Sequence, residues 1–169
     1  TAAAAKALSL PKQPAEYHGA IMIEAEDMDF KSIKSCCTSP YNWYPKVIGH
    51  AGNGFVDLGT NKNGSLRHQL ALKSAGDYRI AIRYTNSTKA ANLTVSVNGT
   101  EQKVAIEKTA QNEWKKAILT ASLIAGTNDF RIKNSDGVGL YIDQIIYTPS
   151  DVADEKYAIT IRSTESGSI

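Results

Sequence analysis

The sequence predicts an all-β fold, an antiparallel β-sandwich of about nine short strands in two sheets. From Ile21 onward, apolar and polar residues alternate in short runs, as they do in strands that bury one face. Gly, Asn and Ser separate these runs at the spacing of turns, and helix-period runs are nearly absent. With 169 residues, 42% of them hydrophobic, the chain can bury one core without disulfides.

Nine segments carry the strand pattern. In residues 77–84, apolar or aromatic side chains occupy every second position, which predicts one core face and one solvent face. The pair Asn98-Gly99 lies between two such segments, and both residues tolerate the positive φ of a type I′ hairpin turn. The predicted strands are residues 21–26, 55–59, 65–72, 77–84, 92–97, 102–106, 114–123, 129–133 and 139–147.

We predict one sandwich domain over residues 19–149. Residues 1–18 begin alanine-rich and predict a linker or N-terminal arm. Residues 150–169 begin polar and then alternate apolar and polar residues, which predicts a linker followed by an extra edge strand or the first strand of another module. Because the chain begins at Thr1 and stops just after this alternation, we expect a piece of a longer protein.

Charge and cysteine content exclude several functions. The net charge is +2 without a long Lys/Arg run, which argues against a nucleic-acid partner. No apolar stretch approaches the roughly 20 residues of a membrane span, so we expect no membrane insertion. The adjacent cysteines, Cys36 and Cys37, match neither zinc nor redox spacing, and they are either two free thiols or a strained vicinal disulfide. We expect a monomer.

Three carboxylates suggest a cation site. Glu24 and Glu26 lie two apart on the first predicted strand and should project from one face, while Asp143 interrupts an apolar final strand. If these strands are neighbours, the carboxylates converge with no obvious Lys or Arg to neutralise them. Ca²⁺ suits such oxygen ligands, and the glycine-rich residues 49–54 could add carbonyls. Alternatively, Glu24 and Glu26 are only the solvent face of an edge strand.

The long loop over residues 31–54 carries an aromatic set that suits a sugar. A sugar ring presents an apolar C–H face, so its site needs a flat aromatic platform and a few polar partners. Trp43 is the first candidate for the platform, with Tyr41 or Tyr44 as a second wall. The alternative is that these aromatic side chains pin the loop to the core.

Several motifs, in order along residues 21–148, resemble carbohydrate-binding modules of families 6 and 35. The motifs are Ile23–Asp27, Gly54–Gly59, Gly76–Tyr78, Ile82–Asn86, Val97–Gly99, Ala125–Asn128 and Tyr141–Ile145. The resemblance implies a β-jelly-roll, a sugar cleft in the loops at one end, and a structural Ca²⁺ held by Glu24, Glu26 and Asp143.

The chain departs from these families at the cleft. An aromatic residue at the position of Phe55 often lines it, but the Asn that often contacts the sugar is replaced here by Tyr141. The stacking Trp of family 6 is replaced near Gln111 or Asn112, and we expect Trp114 itself in the core. Asn112, Asn134 and Asn86 remain as candidate polar partners.

The sequence therefore predicts a non-catalytic module, secreted or on the cell surface, that binds an oligo- or polysaccharide. It would hold a catalytic domain of the same polypeptide, a glycoside hydrolase or polysaccharide lyase, near its polymer. An enzyme using Glu24 and Glu26 is disfavoured because carboxylates on one strand face cannot flank a glycosidic bond. A structural or protein-interaction sandwich without sugar binding is the remaining alternative.

Overall fold

The computed structural model describes residues 15–17, 19–31, 48–52 and 54–152. In this part of the chain, eleven strands form two antiparallel sheets that enclose one hydrophobic core. In sheet A the order is β1 (Ala15–Tyr17), β2 (Ala20–Glu24), β11 (Leu140–Pro149), β6 (Gly76–Asn86) and β9 (Lys115–Leu123), with β4 (Val56–Gly59) also paired to β11. In sheet B the order is β3 (Asp29–Lys31), β5 (Ser65–Leu72), β10 (Gly126–Lys133), β7 (Ala91–Val97) and β8 (Thr100–Ile106).

The prediction of an all-β sandwich is confirmed, and all nine predicted strands are present. Two short strands are additional. One of them, β1, lies inside the segment predicted as a linker or arm and pairs with β2. Residues 153–169 of the predicted C-terminal segment lie outside the described residues.

The first predicted strand is shorter than its sequence pattern suggests. β2 ends at Glu24, and residues 25–27 form a 3₁₀ turn closed by a 3.0 Å hydrogen bond from the Met28 amide to the Ala25 carbonyl. The expectation that Glu24 and Glu26 share one strand face is therefore wrong. A single turn of 3₁₀ helix leaves no signal in an apolar-polar pattern of this length.

The core forms where the inner faces of the sheets meet. Along β6, Ile80, Ile82 and Tyr84 are buried, as the alternation predicts, and Leu93 and Val95 of β7 are buried in sheet B. Each fully buried side chain of this size stabilises the fold by roughly 2 kcal/mol relative to exposure.

The Asn98-Gly99 turn joins β7 to β8 as predicted. Its residues have φ of 51° and 87°, and Val97 pairs directly with Thr100 across the two-residue loop. The Asn98 side chain also accepts a hydrogen bond from the Asp129 amide at 2.7 Å. The turn is thus joined to the neighbouring strand β10 as well as to its own hairpin.

The pairing of β2 with β11 brings the two ends of the sandwich chain together. Glu24 lies opposite Gln144, and a register irregularity in β11 between Ile142 and Gln144 sets Asp143 out of the regular ladder. At the other end of β11, Arg79 donates a 3.0 Å hydrogen bond to the Ser150 carbonyl. Ser150 therefore follows the end of β11 that is farther from Asp143.

His68 makes the stability of the fold sensitive to acid. It lies on β5, its Nε2 atom is buried with no hydrogen-bond partner among the described residues, and burial lowers its pKa to about 4 from 6.5, with the charge of Asp29 opposing. The unfolded chain binds the proton first as pH falls, so this group contributes stability above pH 6.5 that is lost between about 6.5 and 4.

We expect the wild-type chain to lose about 3 kcal/mol of unfolding free energy through His68 between pH 7 and pH 4. Replacing it by a neutral side chain, His68→Leu, should remove that part of the pH dependence. Urea unfolding of both proteins at the two pH values measures it. Equal losses in the two proteins would show that His68 titrates normally in the folded state.

Candidate functional site

Three carboxylates meet at one end of sheet A, and we call Glu24, Glu26 and Asp143 the acidic pocket. Glu24 ends β2, Glu26 lies on the following turn, and Asp143 lies at the irregularity of β11. The charge of Asp143 raises the pKa of both glutamates, and Glu24 raises that of Glu26. The three charges therefore influence one another, although Glu26 reaches the pocket from a turn.

The pocket holds more negative charge than its protein partners neutralise. Glu24 Oε2 and Glu26 Oε2 are buried and have no hydrogen-bond partner among the described residues. Burial raises the pKa of Glu24, and it raises the pKa of Glu26 to about 7. Gln144 donates a 3.2 Å hydrogen bond to Glu24 Oε1, which satisfies only one of its oxygens. Buried acceptors left open in this way destabilise the fold unless a donor or cation reaches them.

Asp143 is better satisfied. It is fully buried, accepts hydrogen bonds from the Ala51 amide at 2.9 and 3.1 Å, and forms an ion pair with Arg83 of β6. The expectation that no Lys or Arg neutralises these carboxylates is therefore wrong for Asp143. Strand β6 lies beside β11 in the sheet, with Arg83 opposite Gln144, and this neighbourhood cannot be deduced from distance along the chain.

A segment of residues 48–52, which we call the strap, runs from the acidic pocket to Trp114. At one end, a Cβ atom added at Gly52 would lie 2.9 Å from Glu24 Cδ, so the backbone packs directly on that carboxylate. At the other end, Trp114 Nε1 donates to the Ile48 carbonyl at 2.8 Å, and the Ile48 amide donates to Asn112 Oδ1 at 2.9 Å. The predicted glycine-rich segment thus lies beside the pocket.

An aromatic cluster adjoins the strap. The Phe55 ring lies 5.0 Å from that of Tyr141, 5.8 Å from that of Trp114 and 5.5 Å from that of His50, between ring centroids. These separations are typical of packed aromatic pairs. Phe55 is buried, whereas Trp114 and Tyr141 are only partly buried and keep some exposed surface.

The structure separates the predicted sugar-binding residues into three groups. Phe55 and Tyr141 lie together in the aromatic cluster, and Asn112 lies beside them with its Oδ1 already engaged by the strap. Asn134 is fully buried at the turn before β11, where its amide donates to Gly59 and Val138 carbonyls at 3.1 and 2.8 Å. That position corrects its assignment, because a side chain enclosed in a turn offers a sugar no surface.

Of the remaining candidates, the structure describes only Asn86. Trp43, Tyr41 and Tyr44 lie outside the described residues, as do the two cysteines. Asn86, another polar candidate, is fully buried, and its side chain donates to the Lys89 carbonyl at 2.7 Å.

Sequence reasoning missed Arg83, His50 and the role of Trp114. Trp114, expected in the core, is partly exposed and holds the strap, and the Arg83 guanidinium carbon lies 5.3 Å from the centre of its ring. Arg83 lies on the solvent face of β6, a strand whose apolar and polar residues alternate regularly. The only sequence signal that pointed to Arg83 was its position in the Ile82–Asn86 motif.

The carboxylate oxygens of the acidic pocket meet some of the requirements of a site for a hard cation. Within the described ranges, no three His, Cys, Asp or Glu side chains stand close enough to form a ready-made metal cage. The two open glutamate oxygens are nevertheless the type of ligand that Ca²⁺ takes, and a divalent charge would balance their burial. Glu24 and Glu26 therefore fit a cation site as a pair of ligands, whereas the Asp143 oxygens are engaged by the Ala51 amide and by Arg83.

Comparison with known proteins finds partial sequence similarity to two much longer curated proteins. A 1,6-alpha-glucosyltransferase of Sporosarcina globispora is 26% identical over 133 residues, which are 75% of this chain and 10% of that protein. This chain thus spans about a tenth of the length of the curated relatives it matches.

No helix in the described part of the chain has the length and apolar character needed to cross a membrane.

Solved structures share the fold. A family 35 carbohydrate-binding module from Clostridium thermocellum superposes with a TM-score of 0.65 at 22% identity, covering 78% of this chain and 98% of that one. The cycloalternan-forming enzyme from Listeria monocytogenes, solved with a pentasaccharide substrate, gives a TM-score of 0.65 at 24% identity, covering 76% of this chain and 12% of that one. The resemblance to family 35 modules predicted from the motifs is confirmed at the level of the fold.

A family profile described as Endotoxin_C, delta endotoxin, matches residues 44–151. The matched range takes in the strap, the aromatic cluster, Arg83 and Asp143, together with all strands from β4 to β11. The chain therefore belongs to the Endotoxin_C (delta endotoxin) family.

Proposed function

We propose that this chain is a non-catalytic carbohydrate-binding module that keeps an attached carbohydrate-active enzyme close to its glycan. The observation that carries the proposal is the combination, at one end of a family 35 fold, of an acidic pocket and a partly exposed aromatic cluster. A saccharide can lay its C–H face on such aromatic rings.

The ligand we propose is an α-glucan or a related oligosaccharide. The curated relatives are named as glucosyl and isomaltosyl transferases, and one structural neighbour as a cycloalternan-forming enzyme. Trp43, with Tyr41 or Tyr44, would supply the platform, and Tyr141 and Asn112 a wall of the site. The buried Phe55 would support Tyr141 from behind and would not touch the sugar. Binding of one or two sugars by a shallow site commonly gives dissociation constants between millimolar and micromolar, about −4 to −8 kcal/mol.

The benefit of such weak binding is effective concentration. A module held on the enzyme raises the local concentration of glycan at the catalytic domain, even when each sugar contact is weak. We propose that the attached catalytic domain belongs to the same polypeptide, which is secreted or displayed at the cell surface, and that the module itself is monomeric.

Catalysis by the acidic pocket is disfavoured on geometry. Glycoside hydrolysis needs two carboxyl groups that flank the bond from opposite sides. Here the strap backbone packs against the Glu24 carboxylate, and the three acidic side chains lie in the same acidic pocket. We therefore propose no catalytic residue in this module.

We further propose that the pocket binds a structural Ca²⁺ through Glu24 and Glu26, with Asp143 as the third carboxylate. The ion would supply the positive charge that the two buried glutamates lack. The support is the pair of buried carboxylate oxygens without partners and the raised pKa of both side chains.

A structural or protein-interaction module without sugar binding is the second candidate. It is favoured by the burial of Phe55, by the engagement of Asn112 with the strap, and by Tyr141 at the position where a family Asn contacts sugar. A glycan array that shows no binding, together with stabilisation by Ca²⁺, would select this candidate over the first.

Calcium should stabilise the folded chain. We expect saturating Ca²⁺ to raise Tm by about 5–10 °C over the value in a chelator, because the ion binds only the native state. Glu26→Gln should abolish this rise and leave the calcium-free Tm unchanged or higher, since it removes a buried charge. The exposed Glu101→Gln serves as the matched control and should keep the full rise in differential scanning calorimetry.

Gly52 should be intolerant of a side chain. Gly52 and Gly59 have almost the same φ, 57° and 58°, but a Cβ at Gly59 meets nothing within 4 Å, whereas one at Gly52 meets Glu24. We expect Gly59→Ala to cost about 1 kcal/mol for the left-handed backbone, and Gly52→Ala about 1–2 kcal/mol more. Urea unfolding measures both, and equal losses would contradict the packing of the strap on Glu24.

Trp43 should carry glycan binding. We expect Trp43→Ala to lose retention on dextran or another bound α-glucan in affinity electrophoresis, with Tm unchanged, because a stacked ring contributes about 1 kcal/mol or more. The wild-type chain in a polymer-free gel gives the reference mobility. Unchanged retention of the variant on every polymer that binds the wild type would remove Trp43 from the site.

A further inference from the structure

Arg83 is the positive group built into the wall of the acidic pocket. It stands on β6 beside β11, its Nη1 contacts Asp143 Oδ2, and its side chain is 23% exposed while that of Asp143 is fully buried. The opposite side of the guanidinium rests near the Trp114 ring, at 5.3 Å from the ring centre. An ion pair and a cation–π contact together hold Arg83 in place.

Other positive side chains form ion pairs with different carboxylates. Arg67 and Arg131 pair with Asp129 on sheet B, and Lys115, next to Trp114 in the chain, pairs with the exposed Glu107. Arg83 thus contributes a fixed unit of positive charge at Asp143, while Glu24 Oε2 and Glu26 Oε2 have no hydrogen-bond partner among the described residues.

We propose that Arg83 sets the net charge of the acidic pocket and thereby its preference for a divalent over a trivalent cation. The proposal rests on the cation site proposed above. With a cation bound and all three carboxylates ionised, the carboxylates carry a charge of −3, and Arg83 reduces it to −2, which a divalent ion balances. The guanidinium thus acts as an internal counter-ion, and it determines the specificity of the pocket without being a ligand itself.

The charge dependence follows from Coulomb's law. The repulsion between Arg83 and a bound ion is proportional to the charge of the ion. Removing Arg83 should therefore favour the binding free energy of a trivalent ion by one and a half times as much as that of a divalent ion. If a neutral residue at position 83 tightens Ca²⁺ binding about tenfold, it should tighten Tb³⁺ binding about thirtyfold.

The experiment measures Ca²⁺ binding by titration calorimetry and Tb³⁺ binding by luminescence in the full 169-residue chain. Arg83→Gln and Arg83→Met both remove the charge, and Met keeps an apolar stem over Trp114 if the Gln variant folds poorly. Arg83→Lys retains the charge and should bind both ions with nearly wild-type affinity. Arg131→Gln removes a remote guanidinium and should change neither affinity.

The outcomes separate this proposal from the one it rests on. If the wild type binds Ca²⁺ but the neutral variants bind both ions as before, more weakly, or with equal tightening, the role of Arg83 is overturned and the cation site stands. If Arg83→Lys behaves like Arg83→Gln, charge is not the cause and the proposal is again overturned. If neither the wild type nor any variant binds Ca²⁺ or Tb³⁺, the cation site and the role of Arg83 both fall.

Discussion

The pairing of β2 with β11 is the constraint on which the rest of the structure depends. It joins strands from opposite ends of the sequence, and its register places Glu24 opposite Gln144. A slip by one residue would turn Ile23 and Ile145 out of the core and the polar pair into it. The same hydrophobic register that closes sheet A therefore also brings Asp143 to Glu24 and Glu26. The strand pairing that closes sheet A also concentrates the negative charge.

That concentration of charge works against stability. Burial of carboxylates disfavours their ionised form, and the partners within the protein satisfy Asp143 well but leave one oxygen open on each of two glutamates. Among the described residues, the other buried side-chain atoms without partners, on His68 and Tyr147, belong to groups that are neutral at pH 7. The buried Asn128 side chain is fully paired, since its amide donates to the Ile124 carbonyl and its Oδ1 accepts from the Ile124 amide. The contrast identifies the pocket as the end of the sandwich where a ligand would contribute most.

The strap and Arg83 make this end a continuous structure. The strap touches Glu24 and Asp143 on one side and Trp114 on the other, and Arg83 spans the same two features through its side chain. A change in the charge of the acidic pocket would therefore alter the surroundings of the Trp114 indole ring. Asp143 lies seven residues before Ser150, a separation of roughly 23 Å along an extended strand.

The sequence by itself determined the class of fold, the positions of nine strands and the Asn98-Gly99 hairpin, because side-chain alternation and positive-φ turns are local properties that water and backbone sterics enforce. It also indicated that Glu24 and Asp143 meet. Only the tertiary structure decided that Glu26 arrives from a 3₁₀ turn and that Arg83 neutralises Asp143. It likewise decided that Asn134 is enclosed in a turn and that Trp114 holds the strap. Arg83 and Asp143 are 60 positions apart in the chain, and Trp114 and Ile48 are 66 apart, so these two contacts depend on which strands become neighbours, a choice made by the packing of the whole core.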